Sequence, residues 1–250
     1  LLIWLESGLL NSLYLFVKGL ADSSVYQGVI FIFGFSIINS IISLPESIYN
    51  TFVIEEKYGF NKTTPVLFFK DMFKQFLVSL IIGLPFLYFI LTILYSLGDN
   101  WWLYTCFFIL AFQFIIIWAY PKFIAPLFNK FSELSDKDLI KEVAALGERC
   151  EIKFKDYFVM NASIRSSHGN AYFTGFGKNK RIVFFDTLLS SLQSDEVISV
   201  LAHELGHFKR KHILKSIVMS SFFLLLGLFI LGQLYNSPNF FQAFGFDQNE

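Results

Sequence analysis

The sequence predicts an α-helical polytopic membrane protein with an inserted α+β domain, and three observations carry that reading. Of 250 residues, 54% are hydrophobic and 19% aromatic, with a mean hydropathy of +0.54, more apolar surface than a soluble fold usually covers. Four runs, residues 25–44, 76–97, 101–119 and 216–235, come close to the roughly 20 apolar residues that span a bilayer. Between the third and fourth runs, residues 130–213 carry the mixed polar patterning of a domain that folds in water. The predicted division is therefore a membrane region over 1–129 and a second domain, with its following span, over 130–250.

The elements follow in chain order. Residues 1–20 are apolar but include Glu6, Asn11, Ser12 and Lys18, as expected of a helix lying in the interface or the remnant of a span. Trp101, Trp102, Tyr104, Trp118 and Tyr120 sit at span ends, where aromatic belts form. Of the 20 Lys and Arg, all but Lys18 fall in residues 45–75 and 120–215, segments separated by two spans and so on one side of the membrane. Positive residues stay cytosolic, which predicts a cytosolic second domain, in a bacterial inner membrane or the endoplasmic reticulum. The net charge of +0 gives no reason to expect a nucleic-acid partner; the expected neighbours are membrane lipids. Cys106 and Cys150 form no paired spacing and are expected to be free thiols.

Within the second domain, residues 134–150 read as an amphipathic helix with Leu139, Val143 and Leu146 on one face. Residues 156–160 read as a short strand. Residues 170–176 and 181–186 are β-rich and flank Gly177-Lys178-Asn179-Lys180, a hairpin signal. Ser194, followed by Asp195 and Glu196, is the expected cap of a further helix.

That helix carries His203-Glu204-Leu205-Gly206-His207. Successive helical residues turn by about 100°, so two histidines four apart share a face and can grip one Zn²⁺. Glu204 lies beside that face, where it can act as general base toward a water without being a ligand. Three of the four histidines in the chain, His203, His207 and His212, fall on this one segment. Helix, strands, hairpin and motif helix together predict a zincin-like α+β zinc metallopeptidase domain holding one Zn²⁺ per chain.

The third ligand is the open question in this pattern. Arg210 and Ile213 stand where a metzincin would have Gly and His, so that class fails. On a continuous helix His212 points away from the ligand face, and it reads as an interfacial histidine among Lys209, Arg210 and Lys211. Glu196 lies two turns from the motif, and the later acids Asp247 and Glu250 follow the last span. The third metal ligand is therefore expected beyond Glu250, in a longer protein of which this chain, opening on Leu1, is a part.

Three further blocks give the chain a resemblance to a known family. Residues 44–62 (LPESIYNTFVIEEKYGFNK), residues 120–131 (YPKFIAPLFNKF), and His168-Gly169-Asn170-Ala171-Tyr172-Phe173-Thr174-Gly175-Phe176 with residues 180–189 (KRIVFFDTLL) resemble, in that order, the type-1 CAAX prenyl proteases. These are polytopic zinc endopeptidases of the gluzincin type. The resemblance implies a ring of helices around a chamber, cleavage of an isoprenylated C-terminal CAAX tripeptide, and a Glu ligand in a downstream E-x-x-x-D motif. Substrate binding is expected at Asn170, Ala171 and Tyr172, where an extended peptide or lipidated protein adds to the strand. His168 reads as a loop histidine. Two alternatives of other kinds stand beside CAAX processing: a quality-control endopeptidase of the same fold, and a non-catalytic membrane scaffold.

Overall fold

A computed structural model describes residues 8–175, 180–210, 212–237 and 240. The chain divides into two compact units, one made of Leu1–Glu46, Gln75–Gln113 and Met219–Glu250, the other of Ser47–Lys74 and Phe114–Val218.

The helical unit draws on α1 (Leu9–Lys18), α2 (Ser24–Tyr49), α3 (Pro65–Ser96), α4 (Trp101–Ala119) and α9 (His212–Tyr235). With their continuations, four helices are long and apolar enough to cross a membrane: Ser24–Glu55, Pro65–Ser96, Gly98–Phe128 and Leu214–Tyr235. They match the four predicted runs and make this an integral multi-pass membrane protein. Only 6–11% of their most apolar windows is buried, so their large side chains face outward, as lipid-facing residues do. Their polar side chains bond back into the helix: Ser36 Oγ donates to the Ile32 carbonyl at 2.8 Å, Ser40 Oγ to Ser36 at 2.9 Å and Thr92 Oγ1 to Tyr88 at 2.8 Å. Each of these three hydroxyls is thereby satisfied within its own helix, with no need of a solvent partner. Close approach uses small residues. A methyl group at Gly28 would lie 2.8 Å from Leu91 Cδ1, and one at Gly232 2.7 Å from Trp102 Cδ1. Of the 1–20 segment, the structure describes α1; Glu6 lies outside the described residues.

The second unit is built on a four-stranded sheet of β1 (Phe131–Glu133), β2 (Asp156–Met160), β3 (Ala171–Thr174) and β4 (Arg181–Phe185), in the order β1-β2-β4-β3. β2 and β4 are parallel; the outer pairs are antiparallel. β4 is buried on both faces, which is why it reads as an unbroken apolar run. Ile182 and Phe184 are fully enclosed with Leu139, Val143, Ala171, Leu188, Val197 and Leu201 on one face, while Val183 joins Met160 and Ala162 on the other.

The helix predicted over 134–150 is α6 (Lys137–Arg149), trimmed by Asp136, whose Oδ1 accepts from the Asp138 and Leu139 N–H groups at 3.0 Å. It ends against Gly147, where a methyl group would sit 2.7 Å from the Ile152 carbonyl oxygen. The predicted hairpin is the β3–β4 pair; Phe176, Gly177, Lys178 and Asn179 lie outside the described residues. The short helices α5 (Ala125–Phe128) and α7 (Asp186–Ser191) flank the sheet in sequence, and the motif helix α8 runs Ser194–Lys209. Its expected cap is corrected in one respect: Ser194 is already helical, and the recorded contact is Glu196, whose carboxylate accepts from the Gln193 N–H at 2.8 Å. Sequence reading put no strand at β1, whose three residues are too few for alternation to register.

Candidate metal and substrate site

α8 is oriented by its apolar stripe. Val197, Leu201 and Leu205, one turn apart, are 0–1% exposed. Val197 and Leu201 pack on Ala171, Ile182 and Phe184 of the sheet. With that stripe sunk, His203 and His207 emerge on an exposed part of the helix and Glu204 is half-buried between them. The two Nε2 atoms are 3.0 Å apart, with ring centroids at 4.7 Å and planes at 71°. A tetrahedral ion with arms of about 2.0–2.1 Å holds two ligand atoms about 3.3 Å apart, so the pair is arranged as two zinc ligands would be. Two neutral imidazoles with convergent Nε2 atoms are a donor set suited to Zn²⁺. Among the described residues no group of three His, Cys, Asp or Glu gathers around one point.

The residues expected to bind substrate lie where the described sheet ends. β3 is an edge strand of the described sheet, bonded to β4 on one side. Phe185 N–H donates to the Asn170 carbonyl at 2.9 Å, which sets the register and, by antiparallel alternation, turns the backbone groups of Ala171 and Phe173 to the open edge. The Ala171 N–H is held there by the Asn170 side chain, whose Oδ1 accepts from it at 2.8 Å. Tyr172 points to the face opposite α8, among Met160, Ala162 and Val183. Burial, with a contribution from Tyr120, pushes its phenol up to about 12, so it stays neutral at physiological pH.

His212 makes a contact that the sequence did not show. It is the first residue of α9, and its Nδ1 lies 2.8 Å from His207 Nδ1. Its pKa is lowered, first by desolvation and then by His207, Lys215 and Arg210. His168 keeps its reading as a loop histidine: its ring stacks on Phe60 with centroids 4.2 Å apart, and its Nε2 is 3.4 Å from Glu55 Oε2.

Sequence reading also missed the residue that ties several segments of the second unit together. Arg165 grips Asp71 through Nε and an Nη at 2.7 and 3.0 Å, and bonds Asn129 Oδ1 and the Phe128 carbonyl at 2.9 and 2.7 Å. Its own carbonyl accepts from Lys62 N–H and Thr63 Oγ1, both at 3.0 Å. Asp71 is only 8% exposed. The signal in the sequence was Asp71 itself, the one acid in the long apolar helix α3, which demands a partner.

Comparison with known proteins accounts for both halves of the chain. Residues 1–130 match the N-terminal domain of CAAX prenyl proteases, described as five membrane helices, and residues 133–249 match peptidase family M48. The chain belongs to the CAAX prenyl protease family of M48 peptidases. Within residues 8–130, three of the described helices are of membrane length, with the shorter α1 before them. The rice "CAAX prenyl protease 1 homolog" is 40% identical over 247 residues, 98% of this chain and 57% of the rice protein. The Saccharomyces cerevisiae "CAAX prenyl protease 1" is 39% identical over 225 residues, 90% of this chain and 50% of that protein. The crystal structure of S. mikatae Ste24p superposes with a TM-score of 0.91 at 35% identity, over 97% of this chain and 58% of that one. The chain thus spans about half the length of these relatives.

Proposed function

We propose that the full-length protein containing this chain is a membrane-embedded zinc metalloendopeptidase of CAAX prenyl-protein processing type. The observation that carries the reading is the convergent His203–His207 pair on the exposed part of α8, with Glu204 between them, in a unit where β3 is an edge strand of the described sheet. His203 and His207 would hold Zn²⁺, with the third ligand beyond Glu250. When bound, the ion supplies a Lewis acid that polarises the scissile carbonyl and lowers the pKa of water beside it. Glu204 takes the proton from the attacking water and returns it to the leaving amine. A substrate peptide lies along β3, bonded to the backbone groups of Ala171 and Phe173. For that, the Asn170 side chain must release the Ala171 N–H, which frees its own amide to bond the peptide. The names of the relatives support a prenylated protein as substrate. The basic segments 45–75 and 120–215 support a cytosolic site, with residues 1–129 as membrane region and 130–250 as peptidase domain.

The deciding experiment uses the full-length enzyme and a farnesylated CAAX peptide. Glu204→Gln is expected to keep its zinc and lose cleavage by at least ~10²-fold, the scale of general-base catalysis. Near-normal turnover would remove Glu204 from the chemistry. Equal cleavage of an unmodified, unrelated apolar peptide by the parent enzyme would replace CAAX processing with general quality control.

A further inference from the structure

The contact between His207 and His212 cannot arise on an unbroken helix. Five residues turn by about 140°, which would place the two rings on different sides of it. Here α8 stops at Lys209 and α9 starts at His212. That break brings the second ring back beside the first, with centroids 4.8 Å apart, planes at 75° and Nδ1–Nδ1 at 2.8 Å. Each ring nitrogen of His207 is thereby assigned a different neighbour: Nε2 faces His203 Nε2 at 3.0 Å, and Nδ1 faces His212.

The chemistry of an imidazole ligand gives this arrangement a purpose. A histidine that donates its Nε2 lone pair to a metal carries its one proton on Nδ1, and that proton needs an acceptor if the ring is to hold its tautomer and orientation. A neutral His212 with its own proton on Nε2 presents a bare Nδ1 to it. We propose that His212 is a positioning residue that accepts the Nδ1 proton of His207 and so fixes His207 in the form whose Nε2 binds metal. The inference rests on the reading of His203 and His207 as ligands. It goes beyond that reading by assigning His212, the first residue of α9, to the metal site.

The test is zinc affinity of the full-length protein in detergent, measured by competition with a chromophoric chelator and independent of any substrate. His212→Leu keeps the bulk and removes the acceptor; zinc affinity is expected to fall by about 10–100-fold, the usual effect of losing such a partner. His212→Asn puts an amide oxygen at the place of Nδ1, so affinity should return to within about threefold of the parent. In Co²⁺-loaded protein, the d–d absorption should shift in the Leu variant and revert in the Asn variant, a pattern that a purely structural role would not produce. Parent-like zinc affinity in His212→Leu would overturn the proposal, as would an Asn variant as weak as the Leu one with its fold intact. Zinc retained in full by His203→Ala would instead overturn the ligand assignment on which it rests.

Discussion

In the helical unit, Gly232 lies against the Trp102 indole and Gly28 against Leu91, and ring meets ring in contacts such as Trp102–Phe229 at 5.2 Å and Phe86–Phe112 at 4.5 Å. In the α/β unit, all four ion pairs formed between described residues are found: Asp138–Lys141, Asp71–Arg165, Glu55–His168 and Asp156–Arg181. The difference follows from the solvent each is built for. Lipid tails are as apolar as leucine, so burying a leucine among helices gains little there, and association depends on close fit around small residues. Water rewards burial, so the α/β unit can enclose Ile182, Phe184 and Leu201 completely and keep charges for particular tasks. The candidate site residues sit in the second unit, where a histidine or a carboxylate can be exposed and still be held by a core beneath it.

The largest effect that could break this comparison is at Asp71. Its carboxylate is enclosed and bidentate on Arg165, so Asp71→Ala strands a half-buried guanidinium. Removing one partner of a buried pair costs about 3–5 kcal/mol, and the low end is expected because Arg165 keeps Asn129 and Phe128 as acceptors. Hydrogen exchange at the Ile182, Val183 and Phe184 amides measures it, since β4 opens only when the unit does. Adding Arg165→Met should recover part of the loss. Unchanged exchange in Asp71→Ala would mean that the apolar core alone sets the stability of this unit.

A middle effect is expected at Gly232. A leucine there overlaps Trp102 Cδ1 and Cγ, which a methyl group would already approach to 2.7 and 3.0 Å. Overpacking of this kind costs about 1–3 kcal/mol. Thermal unfolding in detergent should shift down, while the β4 amides exchange as in the parent. A variant as stable as the parent would mean that small-residue packing is not what holds the helical unit.

How legible each unit was in the sequence follows the same division. The spans were legible because lipid imposes one requirement, a long apolar run, and 101–119 was read to the residue. In the α/β unit, what was legible was local: the periodicity of α6, β2 and β4, and the His203–Glu204–His207 spacing. What was missed depends on pairs brought together by folding or by a break. Arg165 and Asp71 are 94 residues apart, and no local pattern joins them. His212 was read on a helical wheel that assumed continuity past Lys209, and its place beside the His207 ring could not be seen that way. β3 was read from its β-rich run beside a hairpin signal, while the outward turn of Ala171 and Phe173 needed the β3–β4 register.

The smallest effect sharpens the claim that charge matters in the α/β unit only where it is enclosed. Lys141 and Asp138 form a 2.9 Å pair on α6, but their side chains are 77% and 88% exposed. Water and salt screen such a pair, and holding two long side chains in register costs entropy, so its net worth is about 0–1 kcal/mol. Lys141→Ala also substitutes a better helix former, which offsets part of what is lost. Exchange at β4 should therefore change by less than about 0.5 kcal/mol, with no trend as ionic strength rises. Asp71→Ala measured by the same amides gives the contrast: one charge enclosed, one exposed, in the same unit and by the same readout. A Lys141→Ala loss that reached that of Asp71→Ala would show that exposed charge contributes as much as enclosed charge here, and the distinction drawn within this unit would fail.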